Sequence, residues 1–203
     1  MVQHNGRGSR KYVTSEERRA FLQAARQMSL ETYTLARVLL ETGCRISEAL
    51  NLRITNVDLN EKCLYIESLK KRKKGVFRRV PVQNVTIMQL LTIYERTNKG
   101  ELKGESRIFR WSRMTGYRHV VAVMQKAGIS GIHATPKGLR HGFAVAALEA
   151  GAPLNMVQKW LGHAHLDTTS IYVDLMGGEE RRLAERIWAY QAGSMGPDIR
   201  EAA

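Results

Sequence analysis

The segment at residues 135–172 constrains the fold more than any other part of the chain, because glycines and prolines divide it. Its apolar spacing predicts three short helices rather than one long one. Arg140 lies early in the first helix, His163 follows the glycine that closes the second, and Tyr172 lies inside the third. Side chains on three helices can converge on one point. A guanidinium, an imidazole and a phenol together suit a phosphodiester attacked by tyrosine, whose transition state carries negative charge that fixed donors stabilise.

Short motifs at a characteristic spacing extend beyond this segment. In chain order they read Thr42-Gly43-Cys44-Arg45-Ile46-Ser47-Glu48, Lys137-Gly138-Leu139-Arg140, Leu161-Gly162-His163 and, nine residues after that His, Tyr172. On these residues the chain resembles the tyrosine recombinase (phage integrase) family. The boxes of that family read Thr-Gly-x-Arg-x-Ser-Glu and His-x-x-Arg, followed by Leu-Gly-His and the tyrosine. The departure is Lys137, where the family usually has His.

The resemblance implies an α+β fold, mostly helical, with a small antiparallel three-stranded sheet. It also implies that Arg45, Arg140 and His163 surround a scissile DNA phosphate while Tyr172 attacks it as the nucleophile. The products would be a 3′-phosphotyrosine and a free 5′ hydroxyl. We expect no metal and no other cofactor, because the energy of the broken bond is kept in the new ester.

Two site positions leave alternatives open. Glu48 is expected to support Arg45, although an arginine paired to this glutamate for purely structural reasons would fit the same motif. Lys137 keeps a positive donor near the phosphate but cannot accept a proton as a neutral imidazole can. We therefore expect Lys137 to donate to the phosphate in a working enzyme. The competing interpretation is that Lys137 marks a weakened active site.

Residues 54–82 change from helical to strand spacing, beginning with Ile54. Five consecutive cations separate the last two predicted strands and end at Gly75, so a hairpin would present them at its tip. The resemblance implies that one lysine of this hairpin is the general acid that protonates the leaving 5′ oxygen. We favour Lys70, at the end of a strand, over Lys73 within the turn. The cations predicted to contact DNA phosphates without sequence preference are Lys71, Arg72, Lys73 and Lys74.

The charge of the chain indicates its partners. Thirty-two Lys and Arg against nineteen Asp and Glu give a formal charge of +13. This balance predicts attraction to double-stranded DNA ahead of a membrane surface, although a merely solvated basic surface would have the same composition.

The sequence has no apolar run of about eighteen residues and no signal-peptide core, so we predict a cytoplasmic, nucleoid-associated protein without a membrane partner. Cys44 and Cys63 lack metal-ligand spacing and are predicted to be reduced, partly buried thiols.

Helical spacing accounts for most of the remaining chain. Thr14 and Glu17 fit a capping box that begins a first helix, and Gly43 is a typical end for a second helix that starts near Ser29. Further helices are predicted at 84–97 and 115–127. The helical spacing at 84–97 is carried by Val85, Met88, Leu91, Ile93 and Tyr94. Core candidates in the helix that Pro153 starts are Met156, Val157, Trp160 and Leu161.

We predict one catalytic domain at residues 13–192, preceded by a flexible basic arm at 1–12 and followed by a tail at 193–203. The resemblance implies that the separate helical domain that usually precedes the catalytic domain in the family is not part of residues 13–192, as expected for a minimal member or for part of a longer protein. An amphipathic segment at 179–191 is expected to dock on a neighbouring protomer, giving a homotetramer on DNA, or to pack on its own core. Accessory DNA-bending proteins are further expected partners.

Together these features predict a site-specific DNA recombinase of the integrase, invertase or resolvase type. Two rival hypotheses remain open. A type IB topoisomerase would use the same tyrosine chemistry to relax supercoils as a monomer. A regulator would bind DNA on the same scaffold without cutting it, and Lys137 is the feature that favours this hypothesis.

Overall fold

The computed structural model describes residues 10–69, 75–98, 104, 106–162, 185 and 188–189. Within residues 10–162 of this set the chain forms mostly helices and one small sheet. The elements are α1 (Ser15–Arg26), α2 (Leu30–Thr42), α3 (Ile46–Leu50), a 3₁₀ turn (Ile54–Asn56), β1 (Val57–Asp58), β2 (Cys63–Glu67), β3 (Phe77–Pro81), α4 (Asn84–Asn98), α5 (Arg113–Lys126), α6 (Pro136–Glu149) and α7 (Leu154–Leu161). The predicted α+β class, mostly helical, is confirmed.

Local capping decides where the first two helices begin and end. The Thr14 hydroxyl accepts from the backbone N–H of Glu17, and the Glu17 carboxylate accepts from the backbone N–H of Thr14, as the predicted capping box requires. The Ser29 hydroxyl likewise accepts from the backbone of α2, which ends at Gly43 with a φ of 60°. A Cβ added at Gly43 would lie 2.3 Å from the ring of Phe143. The glycine therefore lets α6 approach the end of α2.

The sheet is antiparallel and three-stranded, as predicted, and its strand order is β1-β2-β3. Alternation along β3 buries Arg78 and Val80 and exposes the residues on either side of them. One boundary differs from the prediction, since Ile54 lies in the 3₁₀ turn rather than in a strand. The turn forms because the backbone N–H of Asn56 donates to the carbonyl of Arg53 at 3.0 Å, which closes the chain on itself before β1 begins.

The helix α6 lies where two buried apolar clusters meet. The larger cluster draws mainly on α1 to α5 and the sheet, and the smaller one on α6 and α7. α6 contacts α1, α2, α5 and α7, so it joins the two clusters. Cys44 and Cys63 are free thiols and are fully buried rather than partly buried. None of the described helices is long and apolar enough to cross a lipid bilayer.

Two predicted core positions are wrong on α4, and one is wrong on α7. Val85 and Met88 are 44% and 53% exposed, and the residues of α4 that enter the core are Ile87, Leu90, Ile93 and Tyr94. Apolar residues occur on both sides of α4, and its contact with α2 selects one of them. Met156 is exposed because α7 turns Val157 and Leu161 toward the core instead.

Candidate active site

Arg140 is buried at the centre of the fold, where α6 passes the ends of two other helices. Its Nη1 donates to the carbonyl of Gly43, which ends α2, and its Nη2 donates to the carbonyl of Leu161, the last residue of α7. Both distances are 2.8 Å. Because these acceptors are uncharged carbonyls, they fix the orientation of the guanidinium without neutralising it.

Arg45 and Glu48 form the ion pair that the first motif predicts. Arg45 Nη1 is 2.8 Å from Glu48 Oε1, and the backbone N–H of Arg45 donates to the same carboxylate. The Glu48 side chain has no exposed surface, whereas 28% of the Arg45 side chain is exposed. The predicted pairing is therefore present, and it leaves part of the Arg45 side chain exposed.

Arg78 also belongs to this cluster, although the sequence motifs do not single it out. It is buried, and its Nη2 lies 2.5 Å from Glu48 Oε2. Its Nε donates to the carbonyl of Trp160 at 2.7 Å and its Nη1 to the hydroxyl of Ser68 at 3.2 Å. A sequence signal exists, because strand alternation places Arg78 on the same side of β3 as Val80. A charged residue on the apolar side of a strand indicates a buried, paired group.

Three guanidinium groups around one carboxylate leave the cluster with an excess of positive charge. Burial alone would raise the pKa of the Glu48 carboxyl, but the charge and hydrogen bonds of Arg78 and Arg45 hold this pKa below its usual value. Burial, and then the charge of Arg45, lower the pKa of Arg140 to about 10, so Arg140 stays protonated at neutral pH. Burial, and then Glu48, raise the pKa of the Cys44 thiol to about 11. The cluster is therefore suited to binding an anion.

The C-terminal end of α7 is held by two arginines from other elements. Arg78 donates to the carbonyl of Trp160 and Arg140 to that of Leu161, so two of the helix's free carbonyls receive cationic donors. Gly162 then turns the chain with a φ of 67°. A Cβ at Gly162 would lie 3.0 Å from Arg78 Cδ, so this glycine also makes room for the arginine.

The family model described as "Phage integrase family" matches residues 11–177 of the chain. The chain belongs to the phage integrase family. This result confirms the resemblance inferred from the spaced motifs. The buried Arg140, the paired Arg45 and the glycine-closed end of α7 all lie within the matched range.

Relatives and solved structures agree with the family and the fold. The chain is 36% identical over 149 residues to tyrosine recombinase XerD of Neisseria meningitidis serogroup A, covering 70% of this chain and 50% of XerD. It is 28% identical over 181 residues to tyrosine recombinase XerA of Pyrococcus furiosus, covering 87% of this chain and 61% of XerA. A crystal structure of XerA recombinase has a TM-score of 0.70 at 28% identity, over 86% of this chain and 64% of that one. The chain spans about half to three fifths of the length of these curated relatives.

Lys137, the departure from the usual box of the family, lies in the first turn of α6, three residues before Arg140. It is exposed, in contrast to the buried arginine. Its charge acts on the neighbouring His141, since burial, and then Lys137, lower the pKa of that imidazole to about 4. His141 is therefore neutral at pH 7, and Lys137 supplies an exposed positive charge at the start of the helix.

The other predicted site residues lie outside the described part of the chain, namely Lys70, Lys71, Arg72, Lys73, Lys74, His163 and Tyr172. Their roles stay predictions. Residues 10–69, 75–98 and 106–162 contain no group of three or more His, Cys, Asp or Glu side chains that could hold a metal ion. Of the predicted site residues, the structure therefore brings together Arg45, Glu48 and Arg140, and it adds Arg78.

Proposed function

We propose that the protein is a site-specific DNA recombinase that cuts and rejoins double-stranded DNA through a 3′-phosphotyrosine. The observation that carries the proposal is the cluster of three buried or half-buried arginines around the single carboxylate of Glu48. Such an excess of fixed positive charge matches the negative charge of a phosphoryl transition state. The names of the relatives, which are tyrosine recombinases, agree with this chemistry.

In the proposed reaction Arg45 and Arg140 bind the non-bridging oxygens of the scissile phosphate. The two backbone carbonyls engage two of the five N–H groups of Arg140, so its remaining donors stay available for the phosphate. His163 and Lys137 add hydrogen bonds to the same group. Tyr172 gives up its phenolic proton to solvent as its oxygen attacks phosphorus in line, and the bond from phosphorus to the 5′ oxygen breaks.

The leaving 5′ oxygen takes a proton from a hairpin lysine, with Lys70 favoured over Lys73. The ester formed with Tyr172 retains the energy of the broken phosphodiester. A 5′ hydroxyl from a second DNA end reverses the step and gives exchanged strands. Neither a metal nor a nucleotide enters this scheme.

Other features of the chain support DNA as the substrate and an assembly on it. The formal charge of +13 favours a polyanion, and the cations predicted to contact DNA phosphates are Lys71, Arg72, Lys73 and Lys74. We further propose a homotetramer on DNA in which segment 179–191 docks on a neighbour. Trp188 of that segment is 56% exposed and offers apolar surface for such a contact. Light scattering with DNA, comparing the chain with a version ending at Gly178, tests this part, and unchanged assembly contradicts it.

The decisive experiment traps the covalent intermediate. The protein is incubated with a pool of nicked duplexes of randomised sequence that carry a 5′ label on the cleaved strand, because the nick releases the downstream fragment and prevents rejoining. We expect labelled protein that survives denaturation, and none from Tyr172→Phe. Tyr65→Phe is the matched control, since Tyr65 is exposed on the sheet and lies outside the cluster.

Each alternative outcome of this experiment has a clear meaning. If the parent chain gives no adduct but still retards DNA, it is a DNA-binding regulator. If it relaxes supercoiled plasmid as a monomer without joining two sites, it is a topoisomerase. Sequencing of the trapped duplexes identifies the target site.

A further inference from the structure

Arg78 connects three parts of the candidate active site. Its guanidinium contacts Glu48 of α3, the Trp160 carbonyl near the end of α7, and the hydroxyl of Ser68, which follows β2. We propose that Arg78 is a positioning residue for strand cleavage, which acts through Ser68 to hold the hairpin with the proton-donating lysine in register with Arg45. This inference rests on the proposed recombinase function.

Ser68 lies at the base of the hairpin between β2 and β3. Its backbone N–H donates to the carbonyl of Val76 at 2.9 Å, and Lys70 follows it by two positions. Ser68 and Arg78 are both buried, at 6% and 7% exposure, so their hydrogen bond is shielded from competing water. A bond at this point restricts the direction in which the hairpin leaves the sheet.

A space lies between the base of this hairpin and α7. It is a cavity of about 230 Å³, lined on the hairpin side by Ser68, Val76 and Phe77 and on the helix side by Asn155 and Gln158. The hydrogen bonds of Arg78 reach across this space, from the Ser68 hydroxyl on the hairpin side to the Trp160 carbonyl of α7. Loss of these bonds would free the hairpin while both strands remain paired.

Arg78 could influence cleavage by two routes that leaving-group chemistry separates. It could act on the phosphate, by holding Glu48 and thereby Arg45. It could instead act on the lysine of the hairpin, by fixing Ser68. The second route matters only when the leaving group needs a proton. A thiolate leaves without one, because the pKa of a thiol lies far below that of a hydroxyl group.

The test therefore measures single-turnover cleavage of two nicked duplexes, one with an ordinary phosphate and one with sulfur in place of the bridging 5′ oxygen. The variant is Arg78→Lys. Lysine keeps a positive charge beside Glu48 but lacks the planar guanidinium that hydrogen-bonds Glu48, Ser68 and Trp160 together. We expect the ordinary duplex to be cut about 100-fold more slowly than by the parent, the typical effect of a small misplacement. The sulfur duplex should be cut within about threefold of the parent rate, because no proton donor is needed.

Arg79→Lys is the matched control, because Arg79 is the next residue of β3, is half exposed and pairs with Glu61 at the surface. It should leave both rates unchanged. If Arg78→Lys fails to fold, Ser68→Ala replaces it, since it removes the hydroxyl alone. This variant should show a smaller defect with the same rescue by sulfur.

Three results have distinct meanings. Equal slowing on both duplexes would place the effect of Arg78 on the phosphate or on overall folding, and would overturn the inference. Parent rates on both duplexes would overturn it as well. Failure of the parent chain to cut either duplex would instead refute the recombinase function on which the inference rests.

Discussion

Two buried arginines in this fold, Arg37 and Arg140, have opposite electrostatic surroundings. Arg37, on α2, donates to the Glu41 carboxylate, to the Gln83 side chain and to the Thr86 hydroxyl, all within 2.8 Å. Glu41 in turn accepts from the hydroxyl of Thr86 and from the backbone of Gln83. In this cluster one carboxylate balances one guanidinium. Arg140 instead donates to two neutral carbonyls and lies beside further arginines.

The comparison teaches that burial alone does not mark an arginine as functional. Both side chains are equally inaccessible, at 6% and 8% exposure, and both join separate helices. They differ in the net charge of the cluster that each arginine forms with its ionised neighbours. The cluster of Arg37 and Glu41 is neutral and joins α2 to α4. The cluster around Glu48 keeps an excess of positive charge, which an incoming phosphate can neutralise.

The largest expected effect is on cleavage, where the two arginines should behave differently. Arg140→Met should slow adduct formation by about 10³–10⁵-fold, the range for an arginine that stabilises a transferring phosphoryl group. Arg37→Met, which keeps an apolar stem, should cleave at the parent rate at temperatures where circular dichroism shows it folded. If both folded variants lost cleavage rate to a similar extent, the distinction between a functional and a structural arginine would be wrong.

The two carboxylates give a second contrast, in stability. Glu48→Gln leaves two arginines without their charged partner and should lower the free energy of unfolding by about 3–5 kcal/mol. Glu41→Gln should lower it by about 2 kcal/mol, because Arg37 retains neutral acceptors. Chemical denaturation at neutral pH measures both. If Glu41→Gln lost more unfolding free energy than Glu48→Gln, the cluster of Arg37 and Glu41 would contribute more to stability than the cluster around Glu48.

The same Glu48 pair predicts a pH dependence. The pKa of Glu48 is depressed in the folded chain, so its stabilisation is fully present above the ordinary glutamate pKa of about 4.3. This stabilisation is lost as the pH falls through the lower folded-state pKa. The difference in unfolding free energy between the parent and Glu48→Gln should therefore be constant near neutral pH and shrink in acid. A difference that persists unchanged to low pH would contradict the assigned charge pairing.

Anion binding without DNA sharpens the comparison further. Sulfate at ten times its Kd should stabilise the parent by about 1.4 kcal/mol through binding to the cluster around Glu48. Sulfate also stabilises proteins in general, so the useful quantity is the difference between variants. Thermal unfolding should show that sulfate stabilises Arg37→Met as much as the parent. Arg45→Ala should gain only the general stabilisation that sulfate gives to any protein. Equal sulfate effects in all three proteins would argue against the anion site.

The sequence predicted the parts of this site that depend on local rules. Arg45, Glu48 and Arg140 were identified by their motifs, and the helix ends near them follow from capping residues and from Gly43. The hairpin also followed from the change of spacing and its run of cations. The choice of Lys70 over Lys73 as the general acid stays a prediction. The roles of His163 and Tyr172 also stay predictions.

Features that depend on packing between distant elements could not be predicted in the same way. Arg78 lies thirty positions from Glu48 in the chain, and only the approach of β3 to α3 makes them partners. The choice between the two apolar sides of α4, which left Val85 and Met88 exposed, likewise depends on how α4 meets α2. Alternation within β3 carried a signal for Arg78, but the residues that it contacts were not visible in any local pattern.

The smallest expected effect concerns two glycines that end helices with similar backbone angles. Gly128 after α5 and Gly162 after α7 have φ values of 70° and 67°, so an alanine at either should cost about 1 kcal/mol from backbone strain. A Cβ at Gly128 meets nothing within 4 Å, whereas one at Gly162 would approach the side chain of Arg78. Gly162→Ala should therefore be the less stable variant by about a further 1 kcal/mol and should also slow cleavage. Equal stability in denaturant and equal cleavage rates would show that Arg78 moves aside freely, and that the cluster around Glu48 is less rigid than its hydrogen bonds indicate.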